Sequence, residues 1–205
     1  MKTYVFIDAS NLFYGGEKSL GWKIDYNKLF KYLKEKYVAT KILYFGGVET
    51  RDFKYDYQAN ETVPPDAVEK HLLTLLQNKH LNEADIVLIG RHLQRIRFYQ
   101  RLDKFGYKLL LKPVKLYEQG DGTTRRKANC DVDMAFHLMK NLDDFDRVII
   151  LSGDGDFLPV LKHLREIGKE VIVLSRGPRT AKEIKQFAGS NFRDFEYLKY
   201  LLERG

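Results

Sequence analysis

The sequence predicts an α/β protein with a mostly parallel central sheet flanked by helices. Two observations predict it. Short apolar runs recur without polar alternation, as expected of strands buried on both faces. Segments with helical spacing separate those runs, the pattern of a sheet covered on both sides. There is no internal repeat and no low-complexity segment to suggest another architecture.

TYVFID (3–8) reads as a buried strand. YNKLFKYLKEKY (26–37) has helical spacing, with Asp25 placed to cap it. KILYFGGV (41–48) is a second strand. The interval 50–65 is an aromatic and polar loop without a clear period, and DAVEKHLLTLLQNKHL (66–81) is a helix that starts after Pro64 and Pro65. ADIVLIGRH (84–92) fits a strand or a helix equally well, and RIRFYQRLDKFG (95–106) is a helix closed by Gly106. YKLLLKPVKLY (107–117) is a strand with a hairpin expected at Pro113, followed by a Gly-, Thr- and Arg-containing loop over 118–129. DVDMAFHLMKNL (131–142) is a helix. RVIILSG (147–153), DFLPVLKHLREIG (156–168) and EVIVLSR (170–176) form a strand–helix–strand unit. One domain is assigned to residues 1–190. Residues 191–205 are a C-terminal extension, a short strand and then a helix, which packs on the core or mediates homodimerisation.

The 205 residues are 44% hydrophobic and 31% charged, enough for a sizeable core in a soluble chain. No stretch approaches the roughly 20 apolar residues that span a bilayer, and Asp8 interrupts the only apolar run near the start, so neither membrane nor signal sequence is expected. The lone Cys130 excludes an internal disulfide and a cysteine-based zinc site, and the chain reads as cytoplasmic. The net charge of +7 favours a polyanionic partner, nucleic acid first.

The acids carry the chemistry. Open parallel sheets bind ligands at the carboxyl ends of their strands. Asp8 ends the first strand, Asp154 follows the strand at 147–151, and Asp131 opens a helix. If these strands are neighbours, three or four carboxylates approach one point. An all-oxygen acidic cluster suits Mg²⁺ or Mn²⁺. Gly153 and Gly155 would permit a tight turn with positive φ and close approach of a ligand. On the helix at 131–142, Val132, Ala135, Phe136 and Met139 form one apolar face. Asp131 and Asp133 lie roughly 90° and roughly 110° to either side of it, so they do not share one cleft. Angle alone does not choose between them.

Three segments, FIDASNLF (6–13), KANCDVDMAFHLM (127–139) and LSGDGDFLPVLKHLREIGKEVIVL (151–174), resemble the NYN domain, LabA-like branch, of the PIN-like nuclease superfamily. The resemblance implies a PIN-like three-layer sandwich and a metal-dependent ribonuclease. By the same resemblance Asp8 and Asn11 match the first motif, Asp131 the acid at the helix start, and Asp154 and Asp156 the later acidic pair. The family often has a further Asp where this chain has His137.

RHLQRIRFYQR (91–101) offers Arg91 and Arg95 on one helix face, and Arg125, Arg126 and Lys127 precede Asp131. Guanidinium groups bind phosphate through a planar fork, and neighbouring aromatics can stack on unpaired bases. The expected activity is therefore divalent-metal-dependent hydrolysis of phosphodiester bonds, with single-stranded RNA the favoured substrate. Asp8, Asp131 and Asp154 would hold Mg²⁺ or Mn²⁺, with Asp156 and Asn11 in support. The alternative is a catalytically weak nucleic-acid-binding or regulatory module. A phosphatase with an aspartyl nucleophile fits less well, because Ala9 and Ser10 follow Asp8 with no acid two residues on.

Overall fold

The computed structural model describes residues 1–13, 18–56, 58–78, 80–118 and 124–205, with residues 18, 116–118 and 124–127 described for their backbone alone. In chain order the elements are β1 (Thr3–Asp8), α1 (Lys18–Leu20), α2 (Tyr26–Tyr37), β2 (Ala39–Val48), α3 (Pro65–Leu76) and α4 (Glu83–Phe105). Next come β3 (Lys108–Pro113), β4 (Lys115–Glu118), β5 (Thr124–Lys127), α5 (Asp131–Lys140), β6 (Arg147–Leu151) and α6 (Leu158–Glu166). The chain ends with β7 (Glu170–Ser175), α7 (Lys182–Ala188), β8 (Phe192–Asp194) and α8 (Lys199–Leu202).

Six strands form one sheet in the order β3-β2-β1-β6-β7-β8, and every pairing in it is parallel. The alternation of side chains across a strand divides the core into two layers. Val5 and Ile7 point into one layer with Leu29, Leu33, Ile96 and Leu102 of α2 and α4. Tyr4 and Phe6 point into the other with Met134, Leu138, Leu161 and Ile184 of α5, α6 and α7. Phe6, flanked in register by Leu43 and Ile150, is fully buried. The expected α/β architecture, a parallel sheet between helical layers, is the one found.

Asp25 caps α2 as anticipated: its Oδ1 accepts the backbone N–H groups of Asn27 at 2.8 Å and Lys28 at 3.0 Å. Gly106 closes α4 at φ 102°, a left-handed conformation suited to glycine. The ambiguous 84–92 segment is helical and continuous with 95–105. Asn82 supplies the start signal, its Oδ1 accepting the Asp85 N–H at 2.8 Å. Gly90 sits inside this helix with nothing within 4 Å of where a Cβ would stand. Gly90→Ala is therefore expected to stabilise the fold by about 0.5–1 kcal/mol, through lost backbone entropy of the unfolded chain. Chemical denaturation measures it, and an unchanged or lower midpoint would contradict it.

Other boundaries moved. The helix expected over 66–81 stops at Leu76. Pro113 ends β3 rather than turning a hairpin: it pairs with Val48 at the edge of the sheet, and the Val114 N–H still donates to the Val48 carbonyl at 2.9 Å. The hairpin lies further on, where β4 pairs antiparallel with β5. The segment 191–205 supplies β8, which pairs with β7, and α8, whose end meets the start of α2: the Asp25 N–H donates to the Leu202 carbonyl at 2.8 Å.

The face of α5 is reversed from expectation. Val132 is 68% and Phe136 58% exposed, whereas Met134, His137 and Leu138 are buried. The buried face is the one that carries Met134 and Leu138, which pack into the layer with Phe6 and Leu161. Measured from the buried face, Asp131 and Asp133 lie roughly 65° and roughly 95° to opposite sides, so each rim carries one acid. The Asp133 rim reaches Lys112 of β3, with which Asp133 forms an ion pair, and the Asp131 rim lies within the electrostatic field of Asp8.

Candidate active site

The strand order reverses between β1 and β6, so the carboxyl ends of these strands open the crevice where such sheets bind ligands. Asp8 is the last residue of β1 and is only 5% exposed. The chain turns helical over 9–13, and the Asp8 side chain satisfies the first N–H groups of that turn. Its Oδ1 accepts from Ser10 N at 2.9 Å and Asn11 N at 3.2 Å, and its Oδ2 accepts from Ser152 Oγ at 3.2 Å. Burial is the strongest influence on this carboxyl. The Asn11 N–H opposes it, the Asp131 carboxylate adds to it, and the Ser10 and Ser152 donors oppose it. The balance leaves Asp8 pushed up to about 6 from an ordinary 3.8.

The loop after β6 is fixed by its own hydrogen bonds. The Gly153 N–H donates to Asn11 Oδ1 at 3.0 Å, which ties the two strand ends together. The Asp154 N–H donates to Ser152 Oγ at 3.3 Å. Asp154 Oδ1 accepts from Asp156 N at 3.0 Å, capping the single turn of 3₁₀ helix at Gly155–Phe157. Asp154 is half-buried and Asp156 exposed. The glycines of SGDGD are required for space, not for positive φ, which neither adopts. A Cβ at Gly153 would lie 2.7 Å from Ser175 Oγ and 2.9 Å from Thr180 Cα, and one at Gly155 would run into Glu183 Oε1.

The expected convergence of three or four carboxylates is only partly realised. Asp8 and Asp131 share one field, Asp133 is taken by Lys112, and Asp154 is turned onto the backbone. Among the described residues, no three His, Cys, Asp or Glu side chains gather as a metal-binding group. Cys130 is buried beside the acids, and burial followed by the charges of Asp8 and Asp133 pushes its thiol up to about 12. Its burial makes it a packing residue, a small hydrophobe in the core. His137 packs against Phe45, their rings 5.5 Å apart, and lies 3.6 Å from Glu61. Burial lowers its pKa.

On the other side of the strand ends, Arg91 and Arg95 line a cavity of about 370 Å³ together with Ser10, Phe13, Gly47 and Tyr99. Both arginines are exposed on α4. Tyr99 is buried and donates to the Gly47 carbonyl at 2.6 Å, fixing the wall of this cavity. Arg125, Arg126 and Lys127 belong to β5, but their side chains lie outside the described residues. Sequence reasoning missed Lys112, Ser175, Thr180 and Glu183. Each comes from an element remote in sequence, so no local motif marks it.

A family model for the NYN domain matches residues 2–196. The low amplitude and bright protein LabA of Synechococcus elongatus is 24% identical over 109 residues, 52% of this chain and 58% of that protein, so the match spans under two thirds of its length. Among solved structures, a protein of unknown function from Vibrio parahaemolyticus is similar at TM-score 0.53 and 20% identity, over 90% of this chain and 87% of that one. The T5 D15 protein, crystallised with metal ions, aligns at TM-score 0.46 and 14% identity, over 90% of this chain and 59% of that one.

Proposed function

The chain belongs to the NYN domain family and is LabA-like, a membership that supports a nuclease-type function, and we propose that it is a divalent-metal-dependent nuclease acting on single-stranded RNA. The observation that carries this reading is the buried Asp8 at the switch point of the sheet, held by Ser10, Asn11 and Ser152 beside an arginine-lined cavity. No helix among the described residues is long and apolar enough to cross a membrane, and we place the activity in the cytoplasm.

The donor chemistry fits a hard cation. Asp8 and Asp131 offer carboxylate oxygen, and the nearby thiol is held protonated by burial. Mg²⁺ is commonly held by one or two carboxylates, with water and substrate phosphate completing the shell. A two-carboxylate site is thus consistent with the absence of a three-acid group among the described residues. Bound there, the ion would polarise a phosphate oxygen and acidify a water. The chain's own residues do the rest. Ser10, Asn11 and Ser152 hold the Asp8 carboxylate in one orientation. Arg91 and Arg95 face the adjoining cavity, where guanidinium forks would hold phosphate oxygens and offset the charge that develops during in-line attack. Asp154 shapes the loop through one carboxylate oxygen, which accepts the Asp156 N–H, and its second oxygen together with the Asp156 carboxylate would support the ion.

The test is cleavage of labelled single-stranded RNA and DNA in Mg²⁺, in Mn²⁺ and in chelator. Cleavage confined to the metal-containing samples is expected, with RNA preferred. Asp131→Asn should reduce the rate at least a hundredfold, and Asp133→Asn by less than tenfold, because the family resemblance puts the site acid at the helix start, where Asp131 stands, and Asp133 on the opposite rim pairs with Lys112. Equal losses in the two variants would place the ion on the other rim of α5. A second reading has its own support: no three acids gather among the described residues, and the core-packed His137 stands where the family often has Asp. It predicts an RNA complex that survives intact in metal.

A further inference from the structure

The cavity beside the acids does not end at Arg95. A second cavity, of about 530 Å³, shares Phe13, Arg91 and Arg95 with the first and adds Lys23 and Arg204. A third, of about 240 Å³, shares Ile24, Tyr26, Phe98 and Arg204 with the second and adds Arg101. The three form one groove along α4. Arg91, Arg95, Phe98 and Arg101 recur at helical spacing on a single stripe, which runs about 15 Å along the helix axis.

The groove is basic and aromatic. Its lining carries five basic residues, Arg91, Arg95, Lys23, Arg204 and Arg101, against two acids, Glu49 and Asp25. Asp25 is committed to capping α2. Phe98 and Tyr26 pack edge to face with ring centroids 5.0 Å apart, and both are half-buried at the groove wall. The far end is assembled from distant parts of the chain. Ile24 pairs with Glu203 in an antiparallel bridge, and the Arg204 N–H donates to the Lys23 carbonyl at 2.9 Å. That main-chain pairing sets the two cationic residues on one segment of wall, independently of what their side chains are.

We propose that this groove is an extended subsite for single-stranded nucleic acid, in which Lys23 and Arg204 hold backbone phosphates of the strand as it leaves the catalytic end. The inference rests on the nuclease reading for the position of the reacting phosphate, but the binding step stands apart from it. Positive grooves that track a backbone, with aromatic walls for the bases, suit unpaired strands.

The experiment measures binding of the full chain, in chelator so that no strand is cut, to labelled single-stranded RNA of about 4 and about 16 nucleotides, the span of single-strand site sizes. Lys23→Gln with Arg204→Gln should weaken the longer strand at least fivefold and leave the shorter one within twofold. It should also flatten the salt dependence for the longer strand by about 1.4, or about 0.7 for each phosphate no longer neutralised. Lys23→Glu with Arg204→Glu should weaken it further, and equal melting temperatures would show that the main-chain pairing holds. Equal loss for both lengths, or no loss for either, overturns the proposal, as does a duplex that depends on the two residues as strongly as the single strand. If the length dependence is found but no strand is cut in metal, the nuclease reading fails and the groove stands. If strands are cut and the length dependence is missing, the groove fails alone.

Discussion

Asp8→Asn is expected to abolish cleavage, by at least a thousandfold, and yet to melt higher than the parent at neutral pH in chelator. Both effects come from one buried carboxyl. Asn keeps an oxygen for the Ser10 and Asn11 N–H groups, and its amide can donate to a rotated Ser152 hydroxyl, so the turn after β1 retains its contacts. It removes the charge that burial penalises. A rise from 3.8 to about 6 corresponds to about 3 kcal/mol, at ~1.4 kcal/mol per pH unit. The sign follows from linkage. The folded protein keeps the Asp8 proton to higher pH than the unfolded chain, so it binds more protons between about pH 4 and about pH 6. Stability is full below that window, falls as pH rises through it, and stays lower above it.

The variant escapes that loss. Its melting point should match the parent near pH 4 and exceed it by about 6–12 °C at pH 7.5, given roughly 2–4 °C per kcal/mol for a chain of this size. Metal closes most of that gap, for the parent alone: a cation that binds only the folded form adds about 2.7 kcal/mol at 100 times its dissociation constant. Thermal melts of both proteins at pH 4 and pH 7.5, with Mn²⁺ and with chelator, decide the matter. A variant that melts lower at both pH values would show that the three hydrogen bonds to Asp8 outweigh its burial. The parent's activity should fall at acid pH, because protons compete with the cation for this carboxylate, whose pKa burial raises in the metal-free protein.

The sequence reveals β1, β6 and β7 because each is an unbroken apolar run, and a strand buried on both faces needs nothing else. It reveals α2 because Asp25 is both cap and boundary. It misplaces the buried face of α5 because an apolar stripe is taken for the buried one. There, Met134 and Leu138 take the core side, and Val132 and Phe136 stay in solvent. The hairpin arm β5 is hidden in a run of Thr, Arg and Lys that has no apolar alternation. At the site, Asp8 and Asn11 are legible because they sit in one short motif, and the structure joins Asn11 to the SGDGD loop through Gly153. Thr180, Ser175 and Glu183 are not, since what makes them part of the site is proximity to two glycines on another element. The groove end at Lys23 and Arg204 is beyond any local pattern, because pairing across nearly the whole chain creates it.

Gly153→Ala is expected to cost about a hundredfold in activity. The new Cβ would stand 2.7 Å from Ser175 Oγ, 2.8 Å from Thr180 Oγ1 and 2.9 Å from Thr180 Cα. The last is backbone and cannot rotate away. The segment is held from both sides, since Thr180 Oγ1 donates to the Arg176 carbonyl at 2.8 Å and the Ala181 N–H donates to the Gly153 carbonyl at 2.9 Å. The strain must therefore move residues 152–154 themselves. That shift disturbs the Gly153 bond to Asn11 and the Ser152 bond to Asp8 together, and these align the two strand ends. Overpacking of this kind costs about 1–3 kcal/mol of stability, and a displacement near 1 Å at a reacting centre costs about a hundredfold in rate. The comparison that isolates the effect is Gly155→Ala, two residues on, whose Cβ meets the end of the Glu183 side chain. That side chain can swing aside, so Gly155→Ala should lose less than about 1 kcal/mol and keep most of its activity. Paired rate and melting measurements on the two variants separate a fixed loop from a tolerant one. If Gly153→Ala cleaves RNA as fast as Gly155→Ala, the alignment of β1 and β6 through Asn11 and Ser152 has no part in catalysis.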